Sequence, residues 1–254
     1  MINFFKKKQP KITFWSSVPG LADIQPIEVA TKYIPSWFAK TPRFTMDGEE
    51  KLPTVKNCPS FPDFHRIGYV MKMWCDSRLT IKTLNDGEVV YNWETPNDKL
   101  PWRFHGDNQF IDHLPANQRD TYKFCWKTEC PWFVKTPPGV SMLQMPMFYE
   151  FNEDFEVLPG IIDTDFHYEI NQQVMVKKEG TIEIKRGTPL CMYIPFQRNE
   201  FEFECIDETP EFEKERKTSA LNIFTKFNGL NGGYKEKQKQ MRKDGEYKCP
   251  FHKK

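Results

Sequence analysis

The chain has 254 residues and a formal net charge of +1, so no whole-molecule field points to nucleic acid or a membrane surface, and any electrostatic case must rest on local clusters. That length permits one large β domain or two small ones around a sizeable core. The 22 Phe, 9 Tyr and 7 Trp suit pleated, half-buried surfaces, and 20 Pro against 13 Gly indicates short segments joined by turns.

The chain opens on apolar residues followed by Lys6-Lys7-Lys8, the reverse of an export sequence, and no apolar run is long enough to span a bilayer. A cytosolic chain is therefore expected, with its seven Cys (58, 75, 125, 130, 191, 205 and 249) reduced and behaving as buried small hydrophobes. Cys125 and Cys130 lack a second pair at zinc-site spacing, so no structural zinc is expected.

Residues 11–17 (KITFWSS) predict a first strand. Residues 26–40 begin as a helix broken at Pro35, with Trp37 and Phe38 anchoring a turn. Residues 78–84 and 89–95, joined through Asn85-Asp86-Gly87, predict a hairpin. Residues 96–120, rich in Pro and polar side chains, read as a long surface loop. Strands follow at 122–126, 132–135, 140–151, 168–178, 181–186, 190–196 and 200–205. Alternation is strict in TIEIK (181–185) and EFEFE (200–204), which favours an antiparallel sandwich or barrel.

Thr209-Pro210 then signals a helix start, with Leu221, Phe224 and Phe227 roughly on one face and Gly229 as a C-terminal cap. Beyond Gly232-Gly233 lies a basic tail, 234–254. The expected organisation is a mainly β domain over 1–208 and a C-terminal helix with basic tail over 209–254.

One segment carries chemistry. In Gly160-Ile161-Ile162-Asp163-Thr164-Asp165-Phe166 a sharp turn presents two carboxylates two residues apart, and Phe166 enters a hairpin that closes on Gly187. This stretch is similar to the dUTPase signature Gly-(Val/Ile/Leu)-Ile-Asp-x-Asp-Tyr, and IKRGTPLCMYIPF (184–196) resembles the family's closing strand. Over residues 160–196 the resemblance implies the β-clip fold, often trimeric, with Asp163 beside a deoxyribose and an ordered water, Phe166 packed beside the sugar, and Asp165 in the same pocket. The chain departs from the family elsewhere. Residues 140–147 (VSMLQMPM) lack the Arg of the Arg-Ser-Gly motif, Met192 replaces the Gln of the closing strand, and the glycine-rich C-terminal arm is missing unless 229–233 (GLNGG) is its remnant. Triphosphate hydrolysis needs cations at the phosphates, and no such cradle is legible.

More broadly, FWSSVPGL (14–21), IPSWFAK (34–40), VKNCPSF (55–61) and MWCDS (73–77) together resemble uncharacterised proteins of marine tailed phages, which implies a virion component or a host-modulating product acting on a phage or host protein.

Other constellations compete with bland readings. His105-Gly106-Asp107 with His167 has the order of a non-haem iron triad of the cupin type, Arg186 being the nearest cation for an oxoacid; the plain alternative is a loop histidine and a hairpin histidine. Glu150, Glu153, Asp154, Glu156, Asp163 and Asp165 read either as a solvated hairpin end or as a metal or paired-carboxylate site. Trp74, Trp93, Trp102, Trp126 and Trp132 are core, or line a sugar or nucleobase platform. The basic tail is solvated, or docks on acidic protein or nucleic acid.

The expectation is therefore a phage-type, non-catalytic protein that uses a dUTPase-like scaffold for assembly or partner binding, as a homo-oligomer in host cytoplasm or virion, with no cofactor. A divergent deoxynucleotide-binding protein or nucleotide pyrophosphatase using Mg²⁺, and an Fe(II) oxygenase, are the alternatives.

Overall fold

The computed structural model describes residues 10–85, 88–96, 102–224 and 230–243. In chain order the first elements are β1 (Thr13–Ser16), α1 (Leu21–Ile24), β2 (Glu28–Val29), α2 (Ser36–Lys40), β3 (Phe44–Asp47), β4 (Glu50–Pro53) and α3 (Ser60–Phe64). Then come β5 (Tyr69–Lys72), β6 (Ser77–Thr83), β7 (Val89–Glu94), β8 (Trp102–Phe104), α4 (Ala116–Arg119), β9 (Phe124–Thr128) and β10 (Trp132–Lys135). The last are β11 (Val140–Pro146), β12 (Phe155–Val157), β13 (Gly160–Ile162), β14 (Gln173–Val176), β15 (Gly180–Ile184), β16 (Pro189–Gln197), α5 (Pro210–Phe224) and α6 (Leu230–Lys243).

The chain divides into two compact units, Met1–Val29 with Gly68–Asn199, and Ala30–Ile67 with Glu200–Lys254. This division and the expected boundary at 208 differ in residues 30–67 and 200–208, which group with the C-terminal segment.

The first unit is antiparallel β throughout. Its sheets run β13-β11-β16-β5-β2, β12-β14-β9-β8, β15-β6-β7 and β1-β10. Each order is open at both ends, so among the described residues the sheets do not close into a barrel. Alternation explains the local choices. In β15, Ile182 and Ile184 turn inward, while Thr181 and Glu183 face out to Thr80 and Arg78 of β6 at 3.1 and 2.6 Å. The hairpin over 78–84 and 89–95 forms as β6–β7, although Asp86 and Gly87 of its turn lie outside the described residues.

All four sheets contribute to one core, with Met71, Leu79, Trp126, Trp132, Met142, Val174, Ile182 and Tyr193 among its members. A chain of buried polar groups ties two of those sheets together. Tyr193 of β16 donates its hydroxyl to Gln144 Oε1 of β11 at 2.8 Å and accepts from Gln172 Nε2 at 2.7 Å, just before β14. Thr128 of β9 donates to Gln172 Oε1 at 2.5 Å and accepts from the Gln172 amide at 2.8 Å. Every member is satisfied, so the network fixes how the sheets stack without leaving a buried orphan.

The second unit pairs β3 with β4 and packs short helices around aromatic rings. Phe38 and Phe61 stack with centroids 3.8 Å apart, and Trp37 meets Phe61 edge-on at 5.4 Å. Lys56 caps the end of α2 by donating to the Phe38 and Ala39 carbonyls at 2.7 and 3.0 Å. Helix α5 starts as expected, with the Phe212 amide donating to Thr209 Oγ1 at 3.4 Å.

Several expectations are corrected. Within residues 26–40 a short 3₁₀ helix, Ala30–Tyr33, does stop before Pro35, but Trp37 and Phe38 lie in the α-helix α2 that follows it and not in a turn, because proline suits the start of a helix and not its interior. The loop over 96–120 contains β8 and α4. Residues 168–178 and 181–186 do not pair as a hairpin. The chain changes sheets at Gly180 (φ +99°), so β14 pairs with β9 and β12 whereas β15 pairs with β6. The strand expected at 200–205 does not form. Residues 230–243 are helical, which removes Leu230–Gly233 as an extended arm and orders the first half of the basic tail; Lys235 pairs with Asp63 at 2.6 Å. Phe227, Gly229 and residues 244–254 lie outside the described residues. Cys125, Cys130 and Cys191 are buried as expected, with burial pushing Cys125 up to about 11 and Cys130 up to about 12, whereas Cys58 and Cys205 are exposed. No helix among the described residues is long and apolar enough to cross a membrane.

Candidate functional site

The dUTPase-like motif lies at a sheet edge. Gly160–Ile162 forms β13, outermost in its sheet and paired only to β11, with Met142 opposite Ile162. The next residues turn back sharply, and the His167 amide donates to the Asp163 carbonyl at 2.9 Å. Thr164 at the turn's centre is buried and shares a 2.8 Å hydroxyl contact with Thr136. That anchor holds the flanking carboxylates on one side.

A cation absent from the sequence reading meets them there. Arg198, one residue past β16, places Nη1 2.8 Å from Asp163 Oδ1 and Nη2 2.5 Å from Asp165 Oδ2. Nη1 also donates to Asp165 Oδ1 at 3.0 Å and to Ser141 Oγ at 2.9 Å, so the guanidinium grips Asp165 with two nitrogens. Ser141 donates to Asp163 Oδ1 at 2.6 Å, and the Gly139 amide donates to Asp165 Oδ2 at 2.9 Å. Gly139 has φ +77°, and its carbonyl accepts from the Arg198 amide at 2.8 Å, closing the ring of contacts. Hydrogen bonds from Ser141 and then Arg198 hold Asp163 below the usual carboxylate range, and those from Arg198 and then Gly139 do the same for Asp165.

The arrangement is a clasp in which one guanidinium bridges two carboxylates, so the cluster keeps one net negative charge. Asp165 is nearly enclosed, with 11% of its side chain exposed, whereas Asp163 keeps 40%. Phe166 follows with 69% of its surface exposed and does not close over the acids.

The clasp also has a pH signature. Carboxylates whose folded pKa is depressed contribute stability that is present above their unfolded value and lost as pH falls through the folded one. Arg198→Ala removes the main partner, so the variant's melting temperature is expected to fall less than wild type's between pH 5 and pH 3. Parallel thermal melts across that range check it, and equal slopes would show that the clasp contributes nothing to stability.

His105, Asp107 and His167 are not brought together: among the described residues no three His, Cys, Asp or Glu side chains are gathered as a metal-binding group. His105 follows β8, its amide donating to the Cys125 carbonyl at 3.3 Å, and its Nε2 is buried without a partner among the described residues. Asp107 opens a short 3₁₀ turn, where burial and then Asp112 raise its pKa. His167 is exposed in the motif turn. In the acidic stretch Glu156 pairs with Lys177 at 3.0 Å, and Asp154 pairs with Lys178. Of the tryptophans, Trp102, Trp126 and Trp132 are core, and Trp93 stacks on Trp102 at 5.0 Å.

Arg198 and Ser141 escaped the sequence because they reach the motif only through pairing. In the β11–β16 ladder Ser141 faces Phe196 and Val140 faces Gln197, which delivers Arg198 beside Gly139. Recognising 140–146 and 190–197 as partners would have found both.

No protein-family model matches the chain, and no curated protein matches it. Solved structures of the dUTPase from phage phi11 of S. aureus are similar to part of it. One, a point mutant, has 15% identity and a TM-score of 0.25 over 35% of this chain and 75% of that chain. Another has 16% identity and a TM-score of 0.25 over 36% and 76%.

Proposed function

We propose that this chain is a non-catalytic, phage-type assembly or partner-binding protein built on a dUTPase-like β scaffold. The observation that carries this reading is the segment after Asn199. Residues 200–206 run without helix or strand, and Phe201 and Phe203 are 83% and 91% exposed, alternating with Glu200, Glu202 and Glu204. That is the pattern of a half-buried strand with no sheet to join. Full burial of the two rings makes about 3 kcal/mol or more available to an association that provides the missing edge.

The charges restrict the partner. Two copies of the segment paired with each other would set glutamates opposite glutamates, which is unfavourable. The receiving edge is therefore a different surface, apolar on one face and cationic on the other. If a second copy of this chain supplies it, the exchange is either reciprocal, giving a two-fold dimer, or head-to-tail around a closed ring, and the trimer that the sequence resemblance implies is the ring we favour. Action in host cytoplasm or in the virion, on a phage or host protein, belongs to the same reading.

The clasp supports the non-catalytic part, because Asp163 and Asp165 are already engaged by Arg198. The exposed Phe166 favours a second reading, a deoxynucleotide stacked beside Asp163 with Mg²⁺. A thermal-shift panel of deoxynucleoside triphosphates with magnesium separates the two. A flat panel is expected, whereas a base-selective rise would establish the nucleotide reading. The strand itself is tested by amide hydrogen exchange at low and high protein concentration. Protection that grows with concentration is expected at 200–206 and along the receiving edge, and it should vanish in Phe201→Ser/Phe203→Ser. Rapid exchange at every concentration would remove self-assembly.

A further inference from the structure

A cleft within the first unit is independent of the clasp. It encloses about 790 Å³, within the range of small-ligand sites, and its walls include Trp74, Phe133, Arg103, Lys127, Glu169 and Asn171. At its rim lies a cluster of aromatic rings, of which Trp15 is exposed and Phe133 and Tyr168 are half-buried. Trp15 of β1 and Phe133 of β10 are cross-strand partners whose rings stack with centroids 5.5 Å apart and planes 17° apart. Tyr168 meets Trp15 edge-on at 5.6 Å, and Lys135 Nζ sits 5.7 Å from the Tyr168 ring centre. Trp15 remains 38% exposed although it stands on a strand beside a packed core, whereas the next inward residue, Phe14, packs on Tyr69 at 5.2 Å. Phe133 belongs to both features: it stacks on Trp15 and also lines the cleft, so ring cluster and concave site are continuous.

The charge of the cleft selects among ligands. Arg103 is paired to Glu129, and Lys127 lies on the same wall as Glu169, so cations and anions balance. A nucleotide or other polyanion needs a net positive wall, which this cleft lacks. Asn171 adds a planar amide: its Oδ1 accepts from the Cys130 amide at 3.2 Å, and its Nδ2 lies 3.2 Å from Glu169 Oε2. Carboxylate, amide and ammonium groups alternating beside a flat aromatic face match a neutral ring that is apolar on its face and studded with hydroxyls at its edge.

We propose that Trp15, Phe133 and the adjoining cleft form a binding site for a neutral oligosaccharide, one pyranose ring lying on Trp15 and its neighbours hydrogen-bonded to Glu169, Asn171 and Lys127. The sequence pointed to a sugar platform among other tryptophans. The structure puts most of those in the core and leaves Trp15 at the surface.

The test uses the full chain. Two-dimensional NMR resolves the seven indole N–H signals, and Trp15→Phe assigns that of Trp15. Cellohexaose, maltohexaose, chitohexaose and a thymidine decamer are titrated separately. The expected result is a saturable shift of the Trp15 signal with at least one hexasaccharide and none with the decamer. Glu169→Gln, at an exposed position that leaves the fold undisturbed, weakens that binding about tenfold with an unchanged melting temperature; Trp15→Ala abolishes it. Three silent hexasaccharides, a response to the decamer alone, or an unchanged affinity in Glu169→Gln would each overturn the assignment.

Discussion

Replacing Tyr193 by Phe is expected to destabilise the first unit by about 2–4 kcal/mol, although only one oxygen is lost. The hydroxyl is fully buried, and burial lifts its pKa well above that of an ordinary phenol. It satisfies Gln144 Oε1 at 2.8 Å and Gln172 Nε2 at 2.7 Å, and both glutamines are themselves buried. Without it an acceptor in one sheet and a donor in the other face apolar surroundings, and leaving buried polar groups unpaired costs more than a hydrogen bond normally contributes. Replacing Gln144 by Leu in the Tyr193→Phe background should recover part of the loss, because both ends of one contact are then apolar. Urea denaturation of the three proteins measures it. A Tyr193→Phe cost below about 0.5 kcal/mol would mean the network is incidental to sheet stacking.

Trp126→Ala should cost about 3–5 kcal/mol, a large share of the stability of an ordinary domain. The side chain is fully buried, with ring centroids of Trp102, Trp93 and Phe155 at 5.1, 5.2 and 6.5 Å. Its Nε1 has no hydrogen-bond partner among the described residues. Trp126→Phe therefore removes volume and no partnered polar contact, and is expected to lose less than half as much. The pair of variants separates packing from polar contribution by denaturant titration. Equal costs for Ala and Phe would show that the indole nitrogen is engaged after all.

What the sequence disclosed follows from how local each feature is. The β6–β7 hairpin, the TIEIK strand and the Thr209-Pro210 helix start depend on alternation, turn residues and capping within a few positions, and each appears. Features set by distant pairing did not show. Arg198 lies 33 residues beyond Asp165 and 57 beyond Ser141, and only the β11–β16 register unites them. The departure of β14 and β15 to separate sheets likewise depends on their distant partners β9 and β6, and the glycine at 180 only permits it.

EFEFE is the instructive failure. Its alternation satisfies every local rule for a strand, yet a strand also requires a neighbour, and the described chain supplies none. The tryptophans teach the same lesson in reverse. Local sequence did not distinguish Trp15 from Trp126, because exposure depends on which face of β1 meets the core. Of the candidate residues, Asp163 and Asp165 do meet in one place, together with an arginine that pairs with both. His105, Asp107 and His167 answered only to a three-residue pattern and are not assembled.

Assembly through the unpaired segment is tested most directly by the solution mass of the intact chain. Light scattering coupled to size exclusion should give a whole multiple of 30.2 kDa, three being expected for a closed ring, and Phe201→Ser/Phe203→Ser should fall to a single chain while keeping its circular-dichroism spectrum. A monomeric wild type, or a double variant with the same mass as wild type, would contradict it.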